Sequence, residues 1–267
     1  MYAFDYQRPD DLETVLGVLR TGSDPKILAG GQTLLPTLKQ RLAQPGILVD
    51  LAHVPDLAQI AAQEDAVRIG AMARHADVAA SDLVREAIPA LADLAVNIGD
   101  PAVRNRGTIG GSLANNDPAA DYPAACLGLG ARLHTSAREI AADDFFLGLF
   151  ETALAADEVI LAVTFPRPAR AAYMKFRNPS SRYAMAGVFV AQVADGVRVA
   201  VTGVGQSGVF RWDAAEAALA AQFTSQALED LALDPGLILS DIHGGADYRA
   251  HLAKVMAMRA VDSLCGG

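Results

Sequence analysis

Cysteine is scarce: Cys126 and Cys265 are the only two in 267 residues. Two thiols cannot hold an iron–sulfur cluster, which usually takes four. They allow one disulfide, and a reduced pair is the expectation for a chain of this kind. Aromatics make up only 6%, so the core should be built from aliphatic side chains. No apolar run is long enough to span a bilayer. The start, MYAFDYQRPDD, meets acid at once and is not expected to be a secretory signal. Positive charge is short as well, giving a net charge of −9. Such a surface repels nucleic acid over most of its area. His53, His75, His134, His243 and His251 are scattered, with no zinc-like spacing. The chain has no GxGxxG opening a βαβ unit, no GxxxxGK[ST] and no GxSxG elbow. No Ser/His/Asp or Cys/His set stands out, and no acid–base pair.

What is present is apolar residue, 52% of the chain, enough for one large domain or two smaller ones. Leu12, Val15, Leu16 and Leu19 fall on one helical face within residues 11–20. Residues 26–29 read as a short strand, broken by Gly30-Gly31. Leu34, Leu35, Leu38 and Leu42 follow at helical spacing, with Thr33 as a cap and Pro36 tolerable in the first turn. Strands are expected at 47–51, 67–71, 131–135 and 159–166, and helices at 76–86, 89–98 and 122–129. FPRPARA, residues 165–171, marks a boundary. Three strands follow it (YMKF, AMAGVFVAQV, VRVAVTGV), with a hairpin turn at Ala194-Asp195-Gly196. Helices at 213–222, 225–232 and 247–264 close the chain. The fold class is α+β, with a larger region over 1–168, in sub-parts of about 1–54 and 55–168, and a smaller one over 169–267.

Two glycine-containing stretches ask for a common explanation: AGGQTLLP (29–36) and NRGTIGGSLANNDPAAD (105–121). A glycine pair adopts positive φ and lets a ligand approach the backbone. Consecutive amides there can cradle an anion, and a following helix adds its positive end. Thr108, Ser112, Asn115 and Asn116 add side-chain partners. Neither loop core contains Lys or Arg, so neutral N–H donors would hold the anion. Each loop alone also reads as a tight connection. Asp121 alone reads equally as a helix cap, Asn115 and Asn116 as turn residues, and Arg104 and Arg106 as solvated charge.

AGGQTLLPTLKQRL and RNRGTIGGSLANNDPAADYPAA closely resemble the FAD-binding medium subunit of the molybdenum hydroxylases, the carbon monoxide dehydrogenase/xanthine dehydrogenase family. RIGAMARHADVA and DYRAHLAKVMAMRAV resemble further segments of that subunit. The resemblance runs from Phe4 to about Val261. It implies a two-part FAD domain of vanillyl-alcohol-oxidase (PCMH) type, then a smaller domain with an antiparallel sheet and helices. It places the FAD diphosphate against Ala29, Gly30, Gly31, Gln32, Thr33 and Leu34, flanked by Leu28 and Leu35. Thr108, Ile109, Gly110, Gly111 and Ser112 meet it from the second side, with Asn115 nearby. Asp121 matches the aspartate that bonds the ribose or ribityl hydroxyls, Leu161 a position near the adenine end, and Lys26 a frequent lysine before the first loop. Ile98 stands where xanthine dehydrogenases place an aromatic against the flavin ring, and Met185 where they have a lysine near it.

The implied function is transfer of electrons from a [2Fe–2S] subunit, through non-covalently bound FAD, to an external acceptor: quinone, NAD or oxygen. Hydroxylation of substrate belongs to a large molybdopterin subunit. The expected assembly is a dimer of heterotrimers in the cytoplasm, or held at the inner face of the membrane through the complex. A stand-alone flavin oxidoreductase acting on its own substrate is the rival reading, and a module that has lost the cofactor is a second.

Overall fold

The structure is a computed structural model and describes residues 1–266. The chain opens with β1 (Asp5–Gln7), α1 (Leu12–Thr21), β2 (Pro25–Leu28), α2 (Leu34–Lys39) and β3 (Ile47–Asp50). The three strands form a parallel sheet in the order β1-β3-β2. Asp11 starts α1 by accepting the Thr14 amide at 2.7 Å, which satisfies one of the helix's orphan donors. Val15 and Leu19 then pack with Val49, Leu51, Val54 and Leu57 in a small core of their own.

A second layer follows: β4 (Ile60–Gln63), β5 (Ala66–Gly70), α3 (His75–Ala80), α4 (Asp82–Ala87), α5 (Pro89–Val96), α6 (Pro101–Arg104), α7 (Ile109–Asn115), α8 (Tyr122–Leu129), β6 (Arg132–Thr135), β7 (Glu139–Ala141), β8 (Phe146–Gly148), β9 (Glu151–Thr152) and β10 (Ile160–Pro166). β8 and β9 pair with each other. The other five strands form an antiparallel sheet ordered β4-β5-β10-β6-β7. The helices bury Val78, Val84, Leu91, Leu94, Ile109 and Leu113 with Ile69, Val163 and Phe165 of the sheet. Every residue of α8 is buried, as expected of a helix that is apolar all round.

The last layer holds β11 (Arg170–Arg177), β12 (Ala184–Val193), β13 (Gly196–Thr202), β14 (Phe210–Arg211), α9 (Asp213–Ala221) and α10 (Ala246–Cys265). Its four strands pair antiparallel in sequence order. One face packs Val188, Val190, Val199 and Val201 against Leu252, Ala253, Met256 and Ala257 of α10. The other face adds Tyr173, Phe189, Ala191 and Ala200 to the middle core. The contact with α8 is close: a Cβ on Gly128 would meet the Phe189 ring at 2.7 Å.

The structure differs from the sequence expectation at three places. The helix expected over 76–86 breaks at Ser81, whose Oγ accepts the Val84 amide and starts α4. Residues 225–232 hold only a short 3-10 turn at Ser225–Leu228. The glycine stretch from 105 contains a helix, α7, capped by Thr108. Both cysteines are free, Cys126 buried and Cys265 exposed. Among the described residues no helix is long and apolar enough to cross a membrane, and no group of three or more His, Cys, Asp or Glu could hold a metal.

Candidate functional site

The first glycine loop joins β2 to α2. Among the described residues, the amides of Gly30, Gly31, Gln32, Thr33 and Leu34 find no acceptor in the protein. Thr33 does not cap α2 through its side chain, so the donors at that helix start stay open. Gly31 has φ +72°, a conformation that glycine adopts without steric cost. Leu28 and Leu35 close around it, each with a methyl carbon within 3.2 Å of where a Cβ would stand. Ala29, Leu34 and Leu35 are half-buried, while Gln32 and Thr33 are exposed. Lys26 is exposed on β2.

The second loop docks on the first. A Cβ on Gly30 would lie 2.2 Å from the Arg106 carbonyl oxygen, and one on Gly111 would lie 3.6 Å from the Ala29 Cβ. Two stretches some 80 positions apart therefore line one cleft.

Their chemistry differs. The Ile109 amide donates to Ala73 O at 3.0 Å, and the Gly110 amide to Ala71 O at 2.8 Å. The Gly111 amide donates to Thr108 Oγ1 at 3.2 Å, and the Ser112 amide to Thr108 O. Ile109, Gly110 and Thr108 are buried. Gly110 is glycine because Ala71 would stand 2.6 Å from its Cβ. The loop is shaped by the protein's own hydrogen bonds, leaving Gly111, Ser112 and Asn115 half-buried at the cleft. Asn116, at φ +42°, turns away from it. Its amide donates to Gly148 O and Glu151 O, tying α7 to the β8–β9 hairpin.

His75 lies buried behind this loop. Its amide donates to Gly107 O at 3.0 Å, and a Cβ on Gly107 would lie 2.5 Å from its Nε2. Burial, with the Arg104 charge, lowers its pKa to about 4, so the ring is neutral at neutral pH. Its Nδ1 has no hydrogen-bond partner, and neither has the hydroxyl of Tyr122, whose ring centroid is 5.4 Å away.

Asp121 has other partners than the sugar hydroxyls the resemblance implies. The carboxylate accepts the Tyr173 hydroxyl at 2.5 Å and the Lys175 ammonium at 2.9 Å. Burial pushes the carboxyl up, while Lys175 and Tyr173 oppose that. It does not cap α8 through its side chain either. Lys175 also donates to the Asn97 carbonyl at 3.2 Å. Next to it, Ile98 is half-buried against the middle core.

Met185 lies 6% exposed in the core between the last sheet and α10, and its carbonyl accepts Arg249 Nη1 at 3.0 Å. The cations that the last sheet presents toward Asn97 are Lys175 and Arg177. Leu161 falls where the pairing of β10 with β6 slips between Ile160 and Ala162. Such a bulge re-aims a side chain, and Leu161 lines a pocket with Leu12, Val54, Pro55, Leu57 and Arg68.

Residues 2–168 match the family described as FAD binding domain in molybdopterin dehydrogenase. The chain belongs to this family. It is 38% identical to the nicotine 6-hydroxylase medium subunit of Paenarthrobacter nicotinovorans, over 97% of this chain and 96% of that one. It is 35% identical to the carbon monoxide dehydrogenase medium chain of Hydrogenophaga pseudoflava, with the same coverage. Among solved structures, it superposes on a chain of the Hydrogenophaga pseudoflava carbon monoxide dehydrogenase with a TM-score of 0.90, at 35% identity over 99% of this chain and 98% of that one. A chain of quinoline 2-oxidoreductase from Pseudomonas putida 86 gives 0.86 at 33% identity, over 100% and 98%. The protein is thus an FAD-binding medium subunit of the molybdenum hydroxylase family, an oxidoreductase component that carries electrons, and its α+β fold is that of these subunits. The cleft of this FAD-binding subunit fits the cofactor's diphosphate. Five open amides meet a helix start, and the two glycine loops close on each other too tightly for a Cβ at Gly30.

Proposed function

We propose that the cleft between the two loops holds the FAD diphosphate, and that the run of open amides from Gly30 to Leu34 is its main anchor. That run is the observation which carries the reading. Amides already fixed by the backbone need little reorganisation when an anion arrives. Gly111 and Ser112 border the anion from the second side, and Asn115 adds a side-chain amide there. The bulge at Leu161 opens the pocket that would take the adenine end. Asp121 acts from behind: through Lys175 and Tyr173 it fixes the last sheet to the start of α8, beside Ile98.

Bound FAD supplies the exchange between one-electron donors and an external acceptor, which no side chain here can provide. The protein binds it, orients it and shields it. The relatives are medium subunits or chains of their enzymes. This supports partners of two kinds, a large molybdopterin subunit and a small [2Fe–2S] subunit; the assembly we propose is a dimer of heterotrimers. We place its site of action in the cytoplasm or against the inner face of the membrane. The acceptor belongs to the class quinone, NAD or oxygen.

FAD titration of the cofactor-free chain tests the reading, followed by quenching of flavin fluorescence. One saturable site per chain is expected. Absence of saturable binding by a folded chain would sink it.

A further inference from the structure

The His75 ring supports one wall of the cleft from behind. A Cβ on Gly107 would lie 2.5 Å from His75 Nε2 and 2.8 Å from its Cδ2, so the ring packs where only a glycine leaves room. The His75 amide holds the same residue, donating to the Gly107 carbonyl at 3.0 Å. Thr108, next after Gly107, bridges to Arg74, next before His75. Arg106 makes the contact with the first loop. Its carbonyl oxygen lies 2.2 Å from where a Cβ of Gly30 would stand, and Gly30 begins the run of open amides. A continuous chain of contacts therefore runs from the ring, through Gly107 and Arg106, to the amides of the cleft.

The other side of the ring is closed by Tyr122, with the centroids 5.4 Å apart. Both residues are buried, and neither His75 Nδ1 nor the Tyr122 hydroxyl has a hydrogen-bond partner among the described residues. The surrounding groups offer a charged ring nothing. Arg104 of α6 opposes it with a like charge. From α8 it meets the Tyr122 phenol, which burial keeps neutral. Asp77 of its own helix is turned to the Arg74 amide at 3.2 Å. Arg106 of the loop, Asp93 of α5, and Asp82, Arg85 and Glu86 of α4 are exposed to solvent. A proton would make both ring nitrogens donors, with no acceptor at Nδ1, and an unpaired buried charge is costly. Water can relieve that cost only if one side yields. Tyr122 belongs to the packed middle core, which leaves Gly107 and its loop.

We infer that His75 is a positioning residue for the cofactor: its neutral ring keeps Gly107 and Arg106 against Gly30, and a proton on the ring displaces them, so that FAD and this proton oppose each other. The inference rests on the assignment of the cleft to FAD and adds the regulation of that cleft. In the closed arrangement the ring has its pKa lowered to about 4. An open loop returns it toward the ordinary value of about 6.5. The open form thus takes up the proton first, acid favours it, and FAD affinity falls with pH by linkage.

The test measures FAD affinity by flavin fluorescence quenching at about pH 7.5 and about pH 5, on either side of the ordinary histidine pKa. Wild type is compared with His75→Gln and His75→Phe, neither of which can take the proton, and circular dichroism checks the fold at both pH values. Wild-type affinity should fall by about tenfold between the two, within the limit for one linked proton, and that of the variants by clearly less. The reciprocal measurement follows the His75 Cε1 signal by NMR in wild type, with and without saturating FAD. Its titration midpoint should be lower with FAD bound. No fall in wild type, an equal fall in a folded variant, or a midpoint that FAD does not lower overturns the inference and leaves the cleft assignment standing. Failure of wild type to bind FAD at neutral pH removes the cleft assignment, and this inference with it.

Discussion

Lys175 Nζ lies 2.9 Å from the Asp121 carboxylate, and neither side chain is more than 4% exposed. One residue belongs to β11 and the other precedes α8, so a buried ion pair joins the last sheet to the middle layer. Removing one partner of such a pair leaves an uncompensated buried charge. Lys175→Met is expected to destabilise the chain by about 3–5 kcal/mol. Adding Asp121→Asn should recover a large part of that loss. Urea unfolding of the two variants measures both, and a loss as large in the double variant as in Lys175→Met would refute the pairing.

The glycines of the second loop separate fold from binding. A Cβ on Gly110 meets the Ala71 Cβ at 2.6 Å and its carbonyl at 2.8 Å. Gly110→Ala should therefore unfold more easily. On Gly111 the nearest atom is Thr108 Oγ1 at 2.9 Å, then Ala29 Cβ at 3.6 Å. Gly111→Ala should disturb the fold less than Gly110→Ala, since only the Thr108 hydroxyl has to shift, yet bind FAD more weakly. Melting and flavin titration on both variants decide this. FAD binding by Gly111→Ala as tight as wild type would move the ligand away from this loop.

His75 makes stability depend on pH. Its pKa is about 6.5 in an unfolded chain and about 4 here, lowered by burial and by Arg104. The unfolded chain takes up the proton first. Stability from this group is full above about pH 6.5 and is lost as pH falls toward about 4, by roughly 3 kcal/mol. His75→Gln should flatten the slope of unfolding free energy against pH within that window. An unchanged slope would mean that the ring is already charged when folded.

The flavin should be released whole by acid. Neither Gly30–Leu35 nor Thr108–Asn116 contains a histidine or cysteine that could link the ring covalently. Acid precipitation should leave all flavin in the supernatant, and colour in the pellet would contradict this.

Metal content of the chain purified alone should be below stoichiometry. No cluster of ligands among the described residues could hold iron or molybdenum. Elemental analysis showing one or more iron atoms per chain would count against a division of labour between subunits.

Long regular elements were legible in the sequence. VILAVTFP, apolar and stopped by proline, became β10, and the alanine-rich run at 122 became α8. α7 was hidden because Gly110 and Gly111 lower helix propensity. The Thr108 cap and the bonds to Ala71 and Ala73 hold it regardless. The glycine loops were legible because their residue types are the chemistry. What Asp121 touches was not, since Tyr173 and Lys175 lie more than 50 positions away. What Met185 touches was not legible either, because the pairing of β11 with β12 slips between Phe176 and Arg177, and a one-residue slip turns side chains to the opposite face.

The middle sheet has a further consequence for a chain still being made. Gly70 of β5 pairs with Ala162 of β10, and β10 also separates β5 from β6. A ribosome working at roughly 5–20 residues per second delivers that central strand on the order of ten seconds after β5. Until then α3 to α8 have no completed sheet to cover, and their apolar faces stay open to chaperones. Nascent chains stalled before Ile160 should therefore be protease-sensitive throughout this layer, while the parallel sheet of β1, β2 and β3, complete by Asp50, can already be protected.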